Sequence, residues 1–486
     1  MNNMKYDDNM KFIKLIRLLT SANHGNLDEI QNYLEINPHE INLQNENGIS
    51  ALLMASLGSA PINLEIIKLL LKNGANPNLR DSRELTPLIV TVLKFNDNLK
   101  IIRLLLDNGA NVNLKYRLGW TILMSVCNLS YSQNKIEKMR LLLEYGADVN
   151  AQSDNGWTAL MIASIYNFGI NNQEIIKLLL QLGANVNMLN ENGWSTLMLV
   201  SKFSDNGKNL ETVRLLLENG ADVNILGNEY NETALMIACL YSVNDSNLEI
   251  VRLLIKYGAN VNAQNKNKMT TLMFVSKFSN NKNIAIAQLL IENGADINIQ
   301  PNGWSSLMIA SLYSVNDSGL EIVRLLINKG ANIDALNKHG WTTLMITSKY
   351  FNHGKNLEII RLLLENGACV NILKNGLNAL MIALLYRVNN IEYIRLLLEY
   401  GTNVNAQDIN GWTALMTTSI YSINDSNMEI IKLLLQYGAN VNIKNKNNST
   451  VLTLISRLPS NNPKTINLLK RHTSINNENR SLFFQI

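Results

Sequence analysis

The sequence predicts an all-α fold, a solenoid of tandem helix-turn-helix repeats. Three observations carry that reading. The chain has 486 residues, about three times what one compact core of ~150 residues holds. A step of the general form Gly-Ala-(Asn/Asp)-Val-Asn closes an apolar run on eleven occasions, from Gly74 to Gly438, at intervals of 34 to 38 residues. Between successive steps the same signals recur in the same order: a turn, a short apolar helix, a polar link and a second helix. Repeats escape the size limit of a single core because each buries its faces against its neighbours.

The repeat from Ala151 to Asn187 shows the logic. Asp154-Asn155-Gly156 reads as a turn, since Asn and Gly tolerate positive φ. Thr158 stands where an N-cap belongs, ahead of an apolar helix over Ala159 to Tyr166. Asn167 to Asn172 is the polar link. Gln173 to Leu182 follows as a second helix, too apolar at Ile175, Ile176, Leu178, Leu179 and Leu180 to stand without neighbours on both sides. Gly183 stops it in a left-handed C-cap, and Ala184 to Asn187 extend toward the next turn. In other repeats, Ser246-Asn247-Leu248-Glu249, Ser318-Gly319-Leu320-Glu321 and Ser426-Asn427-Met428-Glu429 read as capping boxes opening the second helix. Each such Ser is worth about 1 kcal/mol.

The organisation follows from the ladder. Residues 1–44 are expected to form a divergent N-terminal capping repeat, 45–445 about eleven tandem repeats, 446–472 a C-terminal capping repeat and 473–486 a frayed tail. Composition excludes several classes. The 43 basic and 39 acidic residues are spread evenly, without the one-sided Lys/Arg cluster of a nucleic-acid surface. No apolar stretch reaches the ~18 residues of a membrane span, and Met1 to Asp8 hold no apolar signal core. Cys127, Cys239 and Cys369 lie far apart and form no CxxC pair. A soluble, reducing cytoplasmic setting and a monomer are expected. The high Asn content reads as compositional bias.

Turn, helix, link, helix and Gly-Ala-Asp-Val-Asn together resemble the ankyrin repeat, over about residues 45 to 471. Short β-hairpin fingers between repeats are implied by that resemblance. Two departures stand out. The family's Thr-Pro-Leu-His appears as Thr-Ala-Leu-Met at Thr158 to Met161 and Thr413 to Met416, and only Thr86-Pro87-Leu88 keeps the proline. The period of ~37 residues exceeds the usual 33, and the excess falls in the link between helices, as at Tyr241 to Asn247. The Asn-rich, Gly-Trp-Thr-Ala-Leu-Met wording is similar to that of ankyrin proteins of giant amoeba viruses, which implies a host protein as partner.

Three columns stand out above the scaffold. All six tryptophans, Trp120, Trp157, Trp194, Trp304, Trp341 and Trp412, directly precede a first-helix cap. By resemblance they sit at the finger base on the concave side, either packing neighbouring repeats or offering a hot-spot surface. An aromatic ends most first helices, at Tyr166, Phe203, Tyr241, Phe278, Tyr313, Tyr350, Tyr386 and Tyr421. Lys202, Lys277 and Lys349 precede it in alternate repeats, while intervening repeats carry Asp245 and Asp317. These Lys and Asp are expected to face each other across neighbouring repeats, or else to decorate a partner groove.

Catalysis needs acid, base, nucleophile or metal to converge. The five histidines show no paired spacing, and no Walker loop or nucleotide fingerprint appears. No enzyme, cofactor or metal is expected. The leading reading is a non-catalytic scaffold for a protein partner on its concave face. The alternative is a substrate-recognition adaptor of a ubiquitin ligase, although no F-box-like segment is visible.

Overall fold

The computed structural model describes residues 11–17, 27–58, 62–94, 99–129, 134–165, 172–203, 208–241, 245–278, 281–313, 317–351, 356–386, 388, 390–420, 425–457 and 463–483. The chain divides into two compact bodies, Met1–Ala259 and Asn260–Ile486. In the N-terminal body the first helices of successive repeats are Ala51–Leu57, Pro87–Leu93, Ile122–Asn128, Ala159–Ile165, Thr196–Lys202 and Ala234–Leu240. Their partners are Ile62–Lys72, Leu99–Asp107, Lys135–Glu144, Asn172–Gln181, Lys208–Glu218 and Asp245–Lys256. The C-terminal body repeats the pattern from Thr271–Lys277 and Asn281–Glu292 onward. Its closing helix spans Pro463–Phe483, into the stretch expected as a tail. Within each body, first helices pack on first helices of the next repeat, and second helices mostly on second.

Local chemistry explains the boundaries. Thr158 Oγ1 accepts from the Met161 N–H at 3.2 Å, and Ser195 and Thr233 do the same for Met198 and Met236. Each cap satisfies one of the N–H groups a helix start leaves unpaired. Behind it, Ala159 to Ser164 are all buried, so the first helix is apolar all round. The second helix ends at Gln181, and Gly183 adopts φ +85° with its N–H on the Leu180 carbonyl. Three second helices begin at Asp245, Asp317 and Asp425. The serines read as caps, Ser246, Ser318 and Ser426, thus lie one residue inside these helix starts, and the side chains of Ser246 and Ser426 lie outside the described residues. These helices have 12 residues against 10 for Asn172–Gln181 and Asn356–Glu365. Part of the longer period is therefore helix, not loop.

The fingers are smaller than hairpins. Isolated antiparallel bridges join Gln44 to Ser50, Leu189 to Ser195 and Gln264 to Thr270. Side chains close the turns instead. Asn190 Oδ1 accepts from the Trp194 N–H at 2.9 Å, Asn337 from Trp341 at 3.0 Å and Asp408 from Trp412 at 2.7 Å.

The asparagines are also structural, which corrects their reading as compositional bias. Asn150 Nδ2 donates to the Gly183 carbonyl at 3.0 Å, and its Oδ1 accepts from the Asn185 N–H at 2.7 Å. Asn187 does the same to Gly220 and Asp222, at 3.0 and 2.8 Å. In the C-terminal body, Asn298 and Asn405 clamp Gly330 with Asn332 and Gly438 with Asn440. A carboxamide is needed because one group must donate and another accept. Asp334 breaks the rule. It accepts from the Cys369 N–H at 3.0 Å but has no N–H for the Gly367 carbonyl. Asp334→Asn is expected to raise stability by about 1 kcal/mol, read as a higher denaturation midpoint with unchanged m-value.

Lys138 is fully buried. Its ammonium donates to the carbonyls of Val92 at 3.2 Å and Lys94 at 2.9 Å, capping the end of Pro87–Leu93. A cation is favoured at that pole of a helix, so the preceding repeat supplies the compensation its burial requires.

Candidate functional site

The exposed chemistry gathers where first helices end. Phe203, Tyr241, Phe278, Tyr313, Tyr350 and Tyr386 all stand exposed, between 38% and 47%. Tyr166 and Tyr421 lie outside the described residues. Buried asparagines on the second helices hold this column in place. Asn356 donates to the Tyr350 carbonyl at 2.6 Å, and Asn247 to the carbonyls of Ala238 and Tyr241, each at 3.1 Å. Asn209 and Asn283 reach Phe203 and Phe278 in the same way. These asparagines were missed in the sequence, although an Asn five or six residues after Phe203, Tyr241, Phe278 and Tyr350 was available as their signal.

The alternate lysines complete the surface. Lys202 Nζ lies 4.9 Å from the Trp194 ring centre, 5.4 Å from Phe203 and 5.1 Å from Tyr241. Lys277 lies 5.3 Å from both Phe278 and Tyr313. Lys349 lies 5.4 Å from Trp341 and 5.0 Å from both Tyr350 and Tyr386. Each ammonium thus sits between the aromatic of its own repeat and that of the next. Such contacts contribute about 0.5–1 kcal/mol each at exposed sites. The two-repeat alternation acquires a physical meaning, because one Lys serves two aromatics. For Lys349, partial burial works against the charge, but the phenols of Tyr350 and Tyr386 outweigh it and raise the pKa. Asp245 and Asp317, expected opposite these lysines, open second helices; the Asp245 side chain lies outside the described residues.

The tryptophans are half-buried at every one of their six positions. Trp304 and Trp341, with Leu312, pack against a buried cluster of Met308, Ala335 and Ile346. Packing is therefore part of the role of Trp304 and Trp341. The six rings were singled out in the sequence for one shared register, and the structure keeps that register.

Cys127 and Cys239 are buried and Cys369 is exposed. Burial pushes the Cys127 thiol up to about 12, against a smaller opposite effect of Lys135. Alkylation at pH 8 is expected to label Cys369 alone in the folded chain and all three thiols in denaturant, counted by intact mass. His339 is exposed in its finger, and His353 lies outside the described residues. Among the described residues, no group of three or more His, Cys, Asp or Glu could hold a metal ion. No described helix is long and apolar enough to cross a membrane.

Stacked helix pairs joined by Asx-closed finger turns, with an aromatic and lysine edge, define a helical repeat protein. The profile for three-copy ankyrin repeats matches residues 18–116, 92–190, 168–265, 240–337 and 312–408, and the single-repeat profile matches 410–446. The chain belongs to the ankyrin-repeat family, whose repeats generally mediate protein–protein interaction. No curated protein matches it.

Proposed function

We propose that the protein is a non-catalytic scaffold that binds a protein partner along the edge formed by its first-helix ends and finger turns. The observation that carries this reading is the exposed aromatic column with lysines held between its rings. The buried asparagines fix the backbone that carries these rings, and Tyr and Trp are among the residues from which interface hot spots are made. The chemistry suits a partner segment offering apolar side chains and carboxylates. The Asn-rich wording, similar to that of ankyrin proteins of giant amoeba viruses, extends the proposal to a host protein encountered in the cytoplasm.

The test uses the full chain as bait, beside a variant carrying Lys349→Ala, Tyr350→Ala and Tyr386→Ala. These side chains are partly or largely exposed, so the variant is expected to unfold within a few degrees of the parent. A protein retained by the parent and reduced at least tenfold on the variant supports the reading. Retention that is equal on both, with both folded, removes this edge from the function.

A further inference from the structure

The C-terminal body contains a cavity of about 360 Å³ beside Met269. Met269 occupies the position at which six other repeats carry tryptophan. The cavity walls show what that exchange does. Trp304 packs, with Leu312 and Trp341, against a buried cluster of Met308, Ala335 and Ile346. One repeat earlier, the register positions of Met308, Leu312, Trp341 and Ile346 are held by Met273, Lys277, Trp304 and Ile309, and all four line the cavity. Three of the four thus repeat the residue type found around Trp304, a lysine replaces the leucine, and Met269 stands at the tryptophan position. Pro301 and Tyr313 close two further sides.

We propose that this cavity is a socket for a tryptophan side chain of the protein partner, with a carboxylate close beside it in the partner's sequence. The inference rests on the scaffold reading above and names its anchor. Two features select the occupant. Three walls, Met273, Trp304 and Ile309, repeat the Met, Trp and Ile that share the packing of Trp304, and the volume lies at the lower end of the range of ligand pockets. The rim is cationic, because Lys277, held 5.3 Å from both Phe278 and Tyr313, lines the opening together with Lys268. An acidic group beside the indole meets an ammonium that is already positioned. A ring entering a preformed apolar site also displaces water without ordering new side chains.

The probe is indole-3-propionate, which carries both groups, titrated into the full chain and followed by ligand-observed NMR. Saturable millimolar binding is expected. Met269→Trp fills the socket from within, so it should abolish binding while keeping or raising the thermal midpoint. Lys277→Met should weaken binding about threefold to fivefold, as loss of one exposed ion pair does, and propionate without the indole ring should not bind. Absence of saturable binding to the parent chain overturns the socket, as does binding unaltered by Met269→Trp. If Met269→Trp fails to fold, Tyr313→Ala serves in its place, and unaltered binding there has the same consequence. Failure of the probe leaves the scaffold reading standing, because that reading is decided by the Lys349, Tyr350 and Tyr386 variant.

Discussion

Replacing Tyr393 with alanine is expected to cost about 3–5 kcal/mol, the range for deleting a buried aromatic side chain. Tyr393 occupies a second-helix position that carries Ile175, Ile250, Ile322, Ile359 and Ile430 elsewhere, all buried. It is itself completely buried, stacks on Phe351 with ring centres 4.6 Å apart, and shares a hydrogen bond with Ser348 in the preceding repeat. Desolvation raises its phenol pKa, with the Ser348 hydrogen bond a smaller opposing effect. Alanine removes the ring and leaves a hole between two repeats. Tyr393→Phe keeps the ring and is expected to cost only about 1 kcal/mol, the net value of one hydrogen bond. Chemical denaturation of the three proteins separates the two contributions. Equal losses for both variants would show that the hydroxyl, not the ring, holds these repeats together.

The second large effect is expected at a turn. Gly156→Ala should cost about 2–4 kcal/mol, whereas Gly183→Ala should cost about 1 kcal/mol. Both glycines have positive φ, +74° and +85°. They differ in what a Cβ would meet. At Gly183 nothing lies within 4 Å, so only the backbone conformation is penalised. At Gly156 a Cβ would stand 2.7 Å from the Glu191 nitrogen and 2.9 Å from the Asn190 Cα, which are backbone atoms of the next finger. That approach exists because the Glu191 N–H donates to the Asn155 carbonyl at 3.0 Å. The finger must therefore part from its neighbour to admit a methyl group. Parallel denaturation curves giving the same loss for both variants would contradict the close finger contact.

The comparison of these two glycines also shows how far sequence reasoning reaches. Both were legible as positive-φ positions, one in a turn and one in a helix C-cap, because local steric rules suffice for that. Their unequal tolerance was not legible, since it depends on a segment about 35 residues away. The same division runs through the site. The aromatic and lysine columns could be read from their spacing. That each lysine would lie between the rings of two repeats could not, and charge alternation suggested carboxylates instead. The buried asparagines behind the column were passed over because Asn is so frequent here that its positions carried no contrast.

By itself the sequence determined the repeat period, the helix pairs, the threonine caps of the first helices, the left-handed glycines and the apolar second helices. All of these follow from interactions within about a dozen residues. Only the tertiary structure decided what each asparagine bonds, which carbonyls compensate the burial of Lys138, what the lysines face and where a missing tryptophan leaves space. Those are contacts between one repeat and the next. Each depends on the register in which neighbouring repeats stack, and a residue's own neighbours along the chain do not specify that register.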